Sequence, residues 1–167
     1  MSESSVRSYL KSVLDAVSNV GQVHDYERWA LNWSDILDRY KTTISGSDML
    51  RGWTISCVGW EAEYLDYPND AGSYIEVRRY QYKVRGYFGL NDGDASEKTA
   101  AGIVEDVCEA LNSNATLHAM QNATDLWGPV PPARVDVFEA RSFAGVLCHY
   151  AEITQLADEA VAKRVTS

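Results

Sequence analysis

Apolar residues at Val6, Leu10, Val13, Leu14 and Val17 recur at intervals of three and four, the spacing of one buried helix face, and the run stops near Gly21. A first helix is predicted there. Trp33, Ile36, Leu37 and Tyr40 repeat the spacing behind Asn32 and Ser34, either of which suits the N-cap of a second, shorter helix. From Met49 to Leu65 the period changes to two: Trp53, Ile55 and Cys57 alternate with Thr54 and Ser56, as a strand with two unlike faces requires. The acidic stretch from Asp66 to Gly72 reads as a turn or exposed loop. Beyond Ser73, Tyr80, Tyr82, Val84 and Phe88 share one face while Arg79, Gln81, Lys83 and Arg85 share the other, which completes a long antiparallel hairpin.

Asp94-Ala95-Ser96-Glu97 supplies a polar cap with an acidic residue three later, and Ala100, Ile103, Val104, Val107 and Leu111 continue a third helix to about Asn112. The prolines in Gly128-Pro129-Val130-Pro131-Pro132 oppose helix, so Asn112 to Pro132 reads as a structured loop with Leu126 and Trp127 as apolar anchors. Arg134 to Glu139 and Gly145 to Thr154 read as two strands of a second hairpin with a turn near Ser142. Leu156 to Lys163, Ala-rich and charged, is expected as a frayed helix or exposed tail. The fold class expected is α+β, an antiparallel, largely hairpin-built sheet with about three helices packed against it. A single domain over 1–167 follows, with 1–5 and about 156–167 as flexible ends.

Composition narrows the function. A formal net charge of -9 works against binding nucleic acid by neutralising phosphates. The start, Met1-Ser2-Glu3-Ser4-Ser5, lacks the basic and apolar regions of a secretory signal, and no run approaches the length needed to cross a bilayer, so a soluble protein is expected. Cys57, Cys108 and Cys148 are odd in number and widely spaced, which suits reduced thiols in a reducing compartment.

Candidate chemistry is sparse. Cys148 and His149 invite a thiolate reading, but neighbours along a strand point to opposite faces, so packing is the expected role of both. His24-Asp25 lacks a nucleophile, and no Cys-x-x-Cys or His-Glu-x-x-His spacing offers a metal site. Glu61, Glu63, Asp66 and Asp70 lack the order of a calcium loop. Arg78, Arg79, Lys83 and Arg85 among Tyr80 and Tyr82 hold the ingredients of a single-strand nucleic-acid platform, yet the tyrosines fall on the face opposite Arg79, Lys83 and Arg85. No catalytic, cofactor or metal residue is assigned.

Four stretches carry a resemblance: Val20-Gly21-Gln22-Val23-His24-Asp25-Tyr26-Glu27-Arg28-Trp29; Gly52-Trp53; Gly86-Tyr87-Phe88-Gly89-Leu90 ahead of Ser96-Glu97; and Gly145-Val146-Leu147-Cys148-His149-Tyr150-Ala151-Glu152. With the element order, they make the chain resemble the small neck and tail-completion proteins of tailed bacteriophages, particularly tail terminators. The resemblance implies a structural virion protein without cofactor or enzymatic activity, forming a ring, usually a hexamer, that caps the tail tube and joins it to the head connector. It implies a place at the neck of the virion and, during assembly, in the host cytoplasm. Its partners would be copies of itself, the tail tube protein and the connector proteins, with no membrane. Genome DNA would pass through the ring without specific binding, and an acidic lumen would help it pass.

Head-to-tail rings need one patch on a subunit to meet a different patch on its neighbour. Glu61 and Glu63 against Arg79, Lys83 and Arg85 on the long hairpin are the expected interface, as exposed charges of both signs that set register. Reversing the three basic residues is expected to weaken assembly and leave the monomer folded. The alternatives are a head-closure or connector subunit and, from another class, a small-ligand-binding domain with its pocket between the helices and the tyrosine-rich sheet face.

Overall fold

A computed structural model describes residues 3–28, 31–44, 46–65, 73–91, 95–113 and 130–164. Helix α1 (Glu3–Asp15) buries Val6, Leu10, Val13 and Leu14 and turns the ion pairs Arg7–Glu3 and Lys11–Asp15 outward, one helical turn apart on its polar side. The chain then reverses through Asn19 and Gly21, both with positive φ, into the short strand β1 (Gln22–His24). Gly21 is required there: its φ is 90°, and a Cβ would stand 2.2 Å from the Arg51 carbonyl oxygen.

Helix α2 (Trp33–Tyr40) begins at Asn32, whose side-chain oxygen accepts from the Asp35 amide at 2.9 Å. It runs directly into β2 (Lys41–Ile44), and four long strands build the rest: β3 (Ser47–Leu65), β4 (Ser73–Gly89), β5 (Arg134–Phe143) and β6 (Val146–Arg164). Helix α3 (Ser96–Asn112) joins the two halves. Strand order is β1-β3-β4-β6-β5, with β2 on β3, and every pairing is antiparallel except β1 with β3. The architecture is α+β, as the periodicities predict. β1 and β2 escape the sequence reading because three or four residues are too few to display a period.

Three boundaries differ from expectation. The segment from Leu156 to Arg164 is strand: it extends β6 along β4, pairing from Gln81↔Leu156 to Ser73↔Arg164. Helical composition there loses to tertiary context, for Ala157 packs in the core, Asp158 meets Arg79 and Glu159 accepts from the Tyr80 hydroxyl. The second hairpin turns at Ala144-Gly145, with φ of 50° and 79°, rather than near Ser142. Positive φ at both central residues matches the right-handed twist of the flanking strands. The N-cap of α3 is Ala95 in the left-handed region, without a side-chain cap. Ser96 instead accepts from the Asn91 amide, and Asp94 lies outside the described residues. The predicted turn over Asp66–Gly72 and most of the Asn112–Pro132 loop, with Leu126 and Trp127, also lie outside them.

The core lies on one face of the sheet. Helices α1 and α3 pack there against Trp53, Ile55, Tyr80, Tyr82, Val84, Phe88, Ala151 and Ile153. Trp53 is fully buried and donates its indole N–H to the Val20 carbonyl at 3.1 Å, so the largest side chain leaves no polar group unmatched. Gly86 makes this possible, because a Cβ there would lie 2.9 Å from the Trp53 and Phe88 rings. A second, smaller cluster of Ile36, Tyr40, Leu50 and Cys148 packs α2 against the opposite face. No helix among the described residues is long and apolar enough to cross a membrane.

Candidate functional site

Strand alternation decides the fate of the cysteine and histidine. Cys148 is fully buried in the smaller cluster, its Sγ donates to the Arg141 carbonyl at 3.3 Å, and burial pushes its thiol up to about 11. His149 points to the other face, where its Nε2 lies 2.9 Å from Ser96 Oγ and its ring stacks on Phe138. The residues therefore do not form a thiolate pair. Ser96 and His149 stand far apart in sequence, so no local signal foretold their contact. Among the described residues no carboxylate joins it, and Ser96 Oγ already accepts from Asn91. His24 is a brace: its Nε2–H donates to the Arg39 carbonyl at 2.8 Å, its ring packs edge-on to Tyr40, and burial lowers its pKa. His118 lies outside the described residues. Among the described residues no group of three His, Cys, Asp or Glu side chains is arranged to hold a metal, and the three cysteines are free thiols.

Glu61, Glu63, Arg79, Lys83 and Arg85 share the sheet face opposite Tyr80 and Tyr82, since Glu61 stands directly across from Arg79. The two glutamates are exposed, but the basic residues are not the exposed charges that the hairpin alone predicts. Arg79 forms a two-pronged pair with Asp158, at 2.7 and 2.6 Å, and Asp158 is 1% exposed. Lys83 sits between Asp136 at 2.7 Å and Glu152 at 2.9 Å. Arg85 reaches Glu152 at 3.0 Å and also bonds Glu27 and Ser56. The cause is topological: β6 lies along the other side of β4, with β5 beyond it, and they bring acids that a two-strand reading of the hairpin omits.

These pairs hold two carboxyls far into the acid range. Hydrogen bonds from Lys83 and Thr154 bring Asp136 down to about 2. For Glu152 burial works in the opposite direction, yet hydrogen bonds from Lys83, Arg85 and Tyr150 outweigh it and set the value near 2. Reversing all three basic residues would therefore strand buried acids inside the fold, so that substitution does not isolate an interface.

The space between α1, α3 and the tyrosine-bearing face, expected to hold any ligand pocket, is filled by the core. Clefts open elsewhere among the described residues. One of about 570 Å³ lies beside Trp60, Glu61, Arg79 and Leu156; another of about 700 Å³ lies among Leu37, Leu50, Phe88 and Leu147. The third, of about 510 Å³, opens between α2 and the ion-paired face. Its wall is an aromatic group in which Tyr87 stacks on Phe143 at 4.0 Å and Tyr40 stands edge-on to both. Arg141 lies 4.0 Å over the Tyr150 ring and pairs with Glu139, and Arg28 and Arg85 complete the rim. Burial raises the Tyr87 and Tyr150 phenols above their ordinary value. Arg85 and Tyr87 share one face of β4, and Tyr150 and Glu152 one face of β6, but only the β4–β6 register brings the two sets together.

Long apolar side chains remain exposed on the two outer long strands: Val58, Trp60 and Tyr64 on β3, Val135 and Phe138 on β5. No family model matches the sequence, and no curated protein matches it.

Proposed function

We propose that this chain is a structural subunit of a tailed bacteriophage, a tail terminator whose copies form a ring that caps the tail tube and joins it to the head connector. The observation that carries the reading is the pair of unlike outer stretches, β3 beyond its pairing with β1 and β2 on one side and β5 on the other. β3 presents Trp60 and Tyr64, 61% and 63% exposed, beside Glu61 and Glu63, whereas β5 presents Val135 and Phe138. Two different sticky sides on one open sheet are what a head-to-tail contact needs, because an isologous dimer would use one side twice. The resemblance of the Val20–Trp29 and Gly145–Glu152 stretches to neck and tail-completion proteins supports the same conclusion. With a charge of -9, copies arranged around a channel would repel DNA rather than hold it.

Mass photometry and electron microscopy of the purified protein, alone and mixed with tail tubes, test the proposal. Rings of uniform size at tube ends are expected. A strict monomer that ignores tail tubes would overturn it and favour a small-ligand-binding domain, the second reading, which the cleft beneath α2 supports. Rings that bind connectors but never tubes would move the chain to the head-closure role.

A further inference from the structure

Two residues that line the cleft beneath α2 each carry a buried hydrogen-bonding atom without a partner among the described residues, the hydroxyl of Thr54 and the Nε of Arg28. Both residues line the cavity, and Thr54 is 1% exposed. Leaving such atoms unmatched costs about 1–3 kcal/mol each, so a group that seats against this wall and reaches them would relieve that cost. Arg28 Nε can only donate, and the Thr54 hydroxyl donates as readily as it accepts. The group that satisfies both is an acceptor.

Charge says which acceptor. The lining has three arginines, Arg28, Arg85 and Arg141, against two carboxylates, Glu27 and Glu152, a surplus of one positive charge on a chain of net -9. Arg85 and Arg141 are committed to carboxylates within the fold, whereas no ion pair to a described residue holds Arg28, which lies 5.6 Å over the Tyr26 ring. One surplus charge matches a carboxylate better than a phosphate dianion. The aromatic wall of Tyr40, Tyr87 and Phe143 would flank a ring or apolar stem.

We infer that this cleft is a binding site for a carboxylate carried on an aromatic or apolar group, with Arg28 and Thr54 as the residues that bond it. The site is independent of ring formation and holds for a monomer as well. The carboxylate has two possible sources, a free small acid or an acidic side chain of another copy, whose segment 58–65 joins Glu61 and Glu63 to the exposed Trp60 and Tyr64.

An NMR titration of the isotope-labelled protein with phenylacetate, phenylacetamide and a peptide of residues 58–65 tests the inference. The expected result is saturable shifts at Thr54, Tyr87 and Tyr150 with phenylacetate or the peptide, and none with the amide. Tighter binding by the peptide identifies a neighbouring copy as the source; tighter binding by phenylacetate identifies a small acid. Arg28→Met and Thr54→Val should each weaken binding about tenfold, with melting unchanged or raised, since each removes an unmatched buried atom, showing that the variants fold. Arg141→Gln, on the exposed rim, gives a third variant if either core-side change unfolds the protein, and it should also weaken binding. No saturable shifts with either acid, equal binding of the amide, or full affinity in the variants would overturn the inference.

Discussion

The two faces of β4 teach different lessons about one strand. On one side Tyr80, Tyr82, Val84 and Phe88 sink into the core beneath α1 and α3; on the other Arg79, Lys83 and Arg85 meet carboxylates from β6, β5 and the segment before α2. The apolar face draws its stability from area removed from water and tolerates small shifts in position. The ionic face gains less net energy, because each charge has already lost water, but it discriminates between registers. A slip of one residue along β6 would place Arg79 opposite Ala157 or Glu159 and turn Asp158 to the other face of the sheet. Burial makes the sheet stable, and the apolar pattern and the Arg79–Asp158 pair together fix its alignment.

The comparison breaks most sharply at Trp53. Trp53→Ala removes a fully buried ring and a matched indole N–H, and should cost about 3–5 kcal/mol in urea unfolding, if it folds at all. Next in size is Arg79→Met, which leaves Asp158 buried and unpaired and should destabilise by about 3 kcal/mol; Asp158→Leu added to it should recover much of that loss. If the double variant is no more stable than the single one, the two residues do not act as a pair.

Acid separates the faces without mutation. Asp136 and Glu152 have ordinary values of 3.8 and 4.5 and are held at about 2 in the fold, so between those limits the unfolded chain binds more protons. Their contribution is complete above pH about 5, declines as pH falls below the ordinary values and is lost below the folded ones. Urea midpoints measured down this range should fall with pH, and a Lys83→Met variant, which removes a shared partner of both carboxyls, should show a shallower decline. The smallest effect on folding is expected at Glu61 and Glu63. Changing both to Lys should move stability by no more than about 0.5 kcal/mol, while light scattering shows weakened assembly; unchanged assembly would remove these two residues from the interface.

The helices and long strands were legible because each is long enough to repeat its period several times, from Val6 to Val17 in one case and Tyr80 to Phe88 in another. The separation of Cys148 from His149 was legible for the same reason, since alternation needs only strand geometry. Two things were not. Leu156–Lys163 has a composition that favours helix, and it is strand because β4 supplies the partner and Arg79 the counter-charge. The partners of Lys83 and Arg85 come from Asp136 and Glu152, distant in sequence and adjacent only through strand order. The arginine and tyrosine cleft was hidden by the same distance, because six of its fourteen lining residues come from before Arg85 and six from after Glu139.

The length of β6 also bears on how the molecule is made. β4 is the central strand of the sheet, flanked by β3, its own hairpin partner, and by β6, the last described strand in chain order. During synthesis the β3–β4 hairpin therefore emerges long before its second flank exists, with Arg79, Lys83 and Arg85 still lacking Asp158, Asp136 and Glu152. Such non-local pairing slows folding and leaves an open strand edge in the meantime. The row of positive charge along that waiting edge is itself a guard, since two nascent hairpins that approach each other there repel until β6 arrives to neutralise them.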